Sequence, residues 1–312
     1  MSNPAAPATS LAMIGLGRMG ANMSRRLARA GITVHGFDGD PNARAQLVDE
    51  SGVHTYASLD EAVARLTLPR VVWVMLPAGE ITDATIQHLA VTLSADDLVV
   101  DGGNANYLES QRRGAMLAAK GIGFVDCGVS GGVHGLAKGY CLMLGGSAQA
   151  INRLDAVIRA LAPPSGLGWA HCGGIGAGHF AKMVHNGIEY GMMQALAEGF
   201  ALLTRRDDLV SEPAAVAQAW REGSVIRSWL LDLAADALAD PQSLAEAAPF
   251  VADSGEGRWT VDEAIRQGTP IPVIAASLFA RFDSQGHADP ANRLLAMMRR
   301  GFGGHAVRHA GS

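Results

Sequence analysis

Between Leu11 and Cys172, short apolar runs alternate with amphipathic stretches, and no other feature restricts the fold of this chain so strongly. The runs that read as strands are Leu11–Gly15, Thr33–Phe37, Val71–Leu76, Leu98–Asp101, Gly123–Cys127, Tyr140–Leu144 and Leu167–His171. Helical patterns fall between them at Met19–Ala30, Pro41–Glu50, Ile81–Leu93 and Ala148–Leu161. Buried β-branched strands separated by helices form a mainly parallel sheet covered on both faces. Turn signals at Gly31, Gly52, Pro69 and Gly121 punctuate the pattern where it requires them.

The rhythm changes after the cluster Gly173–Gly178. Residues 180–204 read as one long helix, apolar almost all round and therefore expected to be buried on several sides. No later segment reads as a strand. Residues 213–246 and 260–300 read as helices interrupted at Pro241, Pro249, Pro270, Pro272 and Pro290. Two domains are expected, 1–178 with a doubly wound, mainly parallel α/β sheet and 179–312 all-α. A length of 312 residues suits two domains, since one domain holds roughly 100–200.

Gly15-Leu16-Gly17-Arg18-Met19-Gly20 follows the first apolar run and opens a helix. In such a loop the first glycine makes the tight turn, the second admits a pyrophosphate, and the third lets helix and strand pack. The helix N-terminus then offers free N–H groups and a positive dipole to phosphates. Strand, helix and following strand are all present, which makes the first domain Rossmann-type and dinucleotide-binding. Asp38 ends the second strand. Its carboxylate suits the ribose hydroxyls and repels a 2′-phosphate, so NAD is expected over NADP. A helix cap before Pro41 is the plainer role for Asp38, and Asp40 could fill it as well.

Glycine, at 38 residues, clusters in such places rather than recurring at a fixed period. Asp101-Gly102-Gly103-Asn104 ends a strand, where open α/β sheets line their ligand crevice. Ser130-Gly131-Gly132 combines a hydroxyl with accessible backbone N–H groups, although alone it could be a simple turn. Lys182, His185, Asn186 and Glu189 stand at i, i+3, i+4 and i+7 and so share one helix face. That places a base, two hydrogen-bonding groups and an acid along roughly 10 Å of cleft wall. A partly desolvated lysine is suited to general-base work near neutrality. A solvated lysine–glutamate pair is the alternative, but the flanking residues are apolar.

Composition removes other classes. A net charge of −5 argues against a general nucleic-acid binder, while an anionic substrate remains compatible if cations gather locally. Three cysteines, Cys127, Cys141 and Cys172, without a CxxC pair argue against a disulfide framework or a zinc site and for a reducing cytoplasm. No apolar stretch reaches the ~18–20 residues of a membrane span. Met1–Ser10 has no basic residue and no apolar run, and reads as a tail rather than a signal peptide.

With these motifs in view, the chain resembles the 6-phosphogluconate dehydrogenases. GLGRMG, DGGN, GVSGG and above all GAGHFAKMVHNGIEYG carry the resemblance, which runs from about Leu11 to Tyr190 and more loosely to the tail. The related β-hydroxyacid dehydrogenases share the glycine loop, the SGG turn and the lysine, but not usually the HNGIEY continuation. The resemblance implies oxidative decarboxylation of 6-phospho-D-gluconate to D-ribulose 5-phosphate and CO2, a step of the pentose phosphate pathway. It implies Lys182 as the base at the C3 hydroxyl and Glu189 as the acid that protonates C1 of the enediol. Asn104, Ser130, Gly131, Gly132, His185, Asn186 and Tyr190 would hold the sugar acid and its phosphate. Arg227, Arg299 and His305 match further substrate contacts, the last two in a tail that reaches a neighbouring subunit in the family. A homodimer or homotetramer is therefore implied. The cofactor set is Gly15, Leu16, Gly17, Arg18, Met19, Gly20, Asp38, Leu76 and Asn104, and no metal is expected.

Departures from the family pattern are informative. Ser254 stands where a lysine is usual, with Arg258 close by. Asp38 stands where NADP-dependent members carry an Asn-Arg-Thr run. The helical part has room for one copy only, as in a short, NAD-preferring branch. Two other readings compete: a β-hydroxyacid dehydrogenase for a small unphosphorylated 3-hydroxy acid, and a non-catalytic dinucleotide sensor on the same fold. Glu189 and the tail arginines speak against the first, Lys182 and Glu189 against the second.

Overall fold

The computed structural model describes residues 9–303. Two compact units divide the chain, Met1–Met183 and Val184–Ser312. The first opens with β1 (Ser10–Ile14), α1 (Arg18–Arg29), β2 (Thr33–Phe37), α2 (Pro41–Ala45), β3 (Val53–Tyr56), α3 (Leu59–Ala64) and β4 (Val71–Val74). It continues through α4 (Glu80–Thr92), β5 (Leu98–Asp101), α5 (Tyr107–Ala118), β6 (Gly123–Ser130), α6 (Gly135–Lys138) and β7 (Cys141–Gly145). Then come α7 (Ala148–Arg153), α8 (Asp155–Leu161), β8 (Trp169–Gly173) and the long α9 (Ala177–Thr204).

Sheet order is β3-β2-β1-β4-β5-β6-β7-β8. Every pairing is parallel except β6 with β7. Strand order reverses between β1 and β4, which opens the crevice where such sheets bind ligands. One sheet face carries Leu11, Met13, Trp73, Val100 and Val125, packed with α1 and α8; the other carries Ile14, Val72, Val74, Val99 and Phe124. Both faces are thus covered, as continuous apolar strands require.

Several elements differ from the sequence expectation. β3 and the helices α3 and α5 were not anticipated. The run Val71–Leu76 forms strand only to Val74, and Met75 and Leu76 lie against the turns at Gly15 and Gly103. The patterns at 41–50 and 148–161 give one short helix and a pair of helices, respectively. β6 extends to Ser130, because β7 pairs with it out to Cys141. The long helix starts at Ala177 rather than Phe180.

The second unit takes up α9 from Val184 and adds α10 (Pro213–Gly223), α11 (Trp229–Leu238), α12 (Pro241–Glu246), α13 (Glu256–Gln267), α14 (Pro272–Ser284) and α15 (Asp289–Gly303). Phe200, Ala217, Leu231 and Ala235 form its core. Burial of the long helix on several sides does not extend to its later half: Met192, Met193 and Leu202 are exposed in the single chain. Among the described residues no helix is long and apolar enough to cross a membrane.

Candidate active site

The glycine loop after β1 is shaped by close backbone packing. Gly15 has φ +98°, and a Cβ there would overlap the Met75 carbonyl at the end of β4. At Gly20 a Cβ would overlap the Gly15 carbonyl. Gly17 differs: its Cβ position has nothing within 4 Å. The first and third glycines thus serve packing, and the second faces open space. Gly17 caps α1 without a side-chain hydrogen bond, which leaves first-turn N–H groups for an anion. Leu16 is buried, Arg18 exposed, Met19 and Leu76 half-buried. The residues present fit a dinucleotide.

Asp38 bridges this loop to the end of β2. One carboxylate oxygen accepts the Leu16 N–H at 2.7 Å, and the other accepts the Asp40 N–H at 2.9 Å. The cap of α2 is Asp40, which accepts the Asn42 N–H at 2.8 Å. Arg44 donates to the Asp38 carbonyl at 2.6 Å. Arg44 thus holds the backbone at the end of β2, while the Asp38 carboxylate is engaged by the two N–H groups.

The DGGN turn lies against β4. Added Cβ atoms at Gly102 and Gly103 would overlap the Trp73 indole nitrogen and the Leu76 carbonyl, respectively. Asn104 emerges exposed. Asp101 is fully buried and accepts from Arg113 at 3.0 Å; Arg113 also bonds Asp83 at 2.6 Å and Glu109 at 2.9 Å. Burial pushes the Asp101 carboxyl up to about 6, against the opposing pull of Arg113. The folded state therefore holds the extra proton between pH ~4 and ~6, and the group's contribution to stability falls as pH rises through that window. Relative to wild type, Asp101→Asn is expected to gain stability from pH 4 to 6, by about 3 kcal/mol at most. Thermal unfolding of both proteins across pH 4–7 checks this; parallel curves would exclude it.

Ser130 ends β6 half-buried, and Gly131, at φ +125°, turns the chain into the exposed Gly132. Arg26 on α1 steadies the following segment by donating to the carbonyls of Leu136, Leu161 and Ala162 at 3.3, 3.2 and 2.7 Å. Beside this turn, α9 rests on the sheet through glycines. A Cβ at Gly178 would overlap the Met143 carbonyl and stand 2.6 Å from the Asp126 carbonyl. At Gly128 it would overlap the Cβ of Lys182. Lys182, 6% exposed, is therefore seated on β6 two residues before Ser130.

Sequence reasoning missed two groups here. Asp126, fully buried, accepts the N–H groups of Gly176 at 2.6 Å and His179 at 2.8 Å. His179, also buried, lies 2.7 Å by Nδ1 from Ser110 Oγ on α5. The available signal was a lone carboxylate inside the apolar run Phe124-Val125-Asp126-Cys127.

In the second unit, His185 Nδ1 lies 3.0 Å from Asn186 Oδ1 and 3.8 Å from Glu189 Oε2. Asn186 is buried and Glu189 half-exposed. Tyr190 is buried, with its hydroxyl 3.4 Å from Ser254 Oγ and the Arg281 guanidinium 3.4 Å from its ring centre. Arg281, unanticipated, thus stands beside Tyr190 where the family lysine is replaced by Ser254. Arg258 is bound instead to Asp253 and stacks 4.3 Å from the Phe282 ring centre. Arg227, in the turn between α10 and α11, and Arg299, on α15, are exposed and make no ion pair among the described residues. His305 lies outside the described residues.

Comparison with known proteins agrees with this geometry. Residues 10–173 match the family model described as the NAD binding domain of 6-phosphogluconate dehydrogenase, and residues 178–301 match the C-terminal domain of the same family. The NAD(+)-dependent, decarboxylating 6-phosphogluconate dehydrogenase of Haloferax volcanii is 43% identical over 300 residues, covering 95% of this chain and 98% of that protein. The NADP(+)-dependent, decarboxylating enzyme of Bacillus subtilis is 36% identical over 287 residues, which are 88% of this chain but 61% of that longer protein. Among solved structures, Plasmodium falciparum 6-phosphogluconate dehydrogenase superposes with a TM-score of 0.83 at 26% identity, covering 97% of this chain and 67% of that one. On both its domains and nearly its full length, the chain belongs to the 6-phosphogluconate dehydrogenase family of oxidoreductases.

Proposed function

We propose that this protein oxidises and decarboxylates 6-phospho-D-gluconate to D-ribulose 5-phosphate and CO2, with NAD preferred over NADP. The observation that carries the reading is the seating of Lys182, buried on β6 at Gly128, where any side chain on the strand would overlap the lysine Cβ. Bound on the glycine loop, NAD supplies the hydride acceptor. Lys182 takes the proton of the C3 hydroxyl and afterwards donates a hydrogen bond to the C3 keto oxygen, which favours loss of CO2. Glu189 delivers a proton to C1 of the enediol. One group starts as a base and the other ends as an acid, so different surroundings suit them.

Asn104, Ser130, Gly131, Gly132, His185, Asn186 and Tyr190 hold the sugar acid, with Arg227 for the phosphate. Residues 1–178 serve the cofactor, and 179–312 serve the substrate and oligomerisation. A homodimer or homotetramer, in which Arg299 and His305 reach the neighbouring site, is supported by the exposed apolar residues on the later half of α9.

The purified protein is expected to turn over 6-phosphogluconate with NAD and to leave 3-hydroxyisobutyrate almost untouched. Turnover of 3-hydroxyisobutyrate alone would overturn the assignment. Asp38→Asn keeps an acceptor for the Leu16 N–H and removes the charge. The NAD-to-NADP ratio of kcat/KM should fall by about 10- to 100-fold, or ~1.4–2.8 kcal/mol. An unmoved ratio means that Asp38 does not discriminate between the cofactors.

A further inference from the structure

The first turns of α9 are fixed by groups that the reaction does not use. Asp126 makes no salt bridge to Lys or Arg among the described residues; its two oxygens instead take the N–H groups of Gly176 and His179. A carboxylate in that place complements the positive end of a 28-residue helix. This bond fixes where the helix begins, but two N–H groups near the axis constrain rotation about it weakly. The His179 ring supplies the missing constraint. Its Nδ1 meets Ser110 Oγ at 2.7 Å, and that hydroxyl donates in turn to the Asn106 carbonyl at 3.4 Å. The tether therefore runs sideways from α9 to α5.

Lys182 is three residues after His179, on nearly the same face one turn on. A turn of α9 about its axis would swing the base away from β6. Both His179 and Ser110 are buried, and a buried polar pair is costly where apolar side chains of the same shape would pack as well. Burial holds the imidazole below its usual value despite Asp126, so the ring serves as a neutral hydrogen-bonding group.

We infer that His179, held by Ser110 and Asp126, is a positioning residue that sets the rotation of α9 and so the aim of Lys182. The inference rests on the reading of Lys182 as the base. It goes further by assigning function to a histidine outside the proposed catalytic and binding residues.

The test compares His179→Leu, His179→Asn, Ser110→Ala and Lys182→Met. Asparagine places an amide near Nδ1 and can keep the bond to Ser110; leucine cannot. Turnover is measured on 6-phosphogluconate, or on 3-hydroxyisobutyrate should wild type oxidise only that, beside NAD affinity and thermal unfolding. His179→Leu and Ser110→Ala should each lose about 10- to 100-fold in kcat, in line with a modest misplacement of a catalytic group, with NAD affinity within about twofold. His179→Asn should recover kcat to within about threefold of wild type while unfolding no later than His179→Leu, a split that loss of stability alone does not produce. If Lys182→Met is inactive while His179→Leu matches wild type, or if asparagine rescues nothing, the positioning role falls and the base assignment stands. An active Lys182→Met overturns both.

Discussion

Lys182→Met should lower kcat by about 10³-fold, within the ~10²–10⁴ that a positioned general base contributes. Methionine keeps an unbranched stem against Gly128, so the seat of α9 on β6 is preserved and the change isolates the amine. Affinity for NAD should stay within about twofold, since the cofactor cradle lies at β1 and β4. Steady-state kinetics with fluorescence titration of NAD separates the two quantities. A variant that keeps a tenth of wild-type kcat would remove Lys182 from the reaction. Glu189→Gln should affect a later stage: hydride transfer persists, and release of ribulose 5-phosphate slows.

The largest expected loss of stability comes from one methyl group. A Cβ at Gly178 meets three backbone atoms, the Met143 carbonyl, the Asp126 carbonyl at 2.6 Å and the Gly145 nitrogen at 2.8 Å. Backbone in strands paired on both sides cannot yield as a side chain does, so Gly178→Ala must lift α9. Overpacking of this kind costs about 3 kcal/mol or more. For a unit of this size, that corresponds to a fall in Tm of roughly 6–12 °C. Gly174→Ala is the matched control, because its Cβ position has nothing within 4 Å. Thermal unfolding of the two variants side by side decides the matter, and a Gly178→Ala curve that overlays the Gly174→Ala curve would sink the prediction.

Much of this was legible in the sequence. β2 and β5 occupy the residues expected of them: β5 is a continuous apolar run up to Asp101, and β2 alternates buried with half-buried residues between turn signals. The family resemblance drawn from the glycine loop and the HNGIEY motif is borne out by both family models. β3 escaped notice because Val53-His54-Thr55-Tyr56 is an edge strand with only Val53 fully buried. α5 escaped because its inward side carries Ser110, Arg113 and Gly114, polar or small residues that blur a helical apolar stripe. Of these, Arg113 pairs with Asp101 and Ser110 meets His179, so the helix that periodicity hides carries buried polar contacts. The expected burial of α9 failed for a different reason: periodicity reports which faces are apolar, and a single chain need not cover them. Arg227 and Arg299 were legible as cations, whereas their placement depends on tertiary packing that no motif encodes.

The one antiparallel pairing has a consequence for measurement along the chain. Because β7 runs against β6, and β8 follows β7, the chain leaves the sheet at the level of Asp126 and must climb back along β6. Helix and strand then act as two rulers laid side by side. From Gly178 to Lys182 the helix rises about 6.0 Å. From Asp126 to Gly128 the strand rises about 6.6 Å. Four divisions of one scale match two of the other, and the Lys182 Cβ is carried to Gly128, two residues before Ser130. A single inserted residue between Gly178 and Lys182 would shift the helical scale by about 100° and 1.5 Å. The spacing between the glycine and the lysine is therefore a length standard, fixed by the near match of four helical rises to two strand rises.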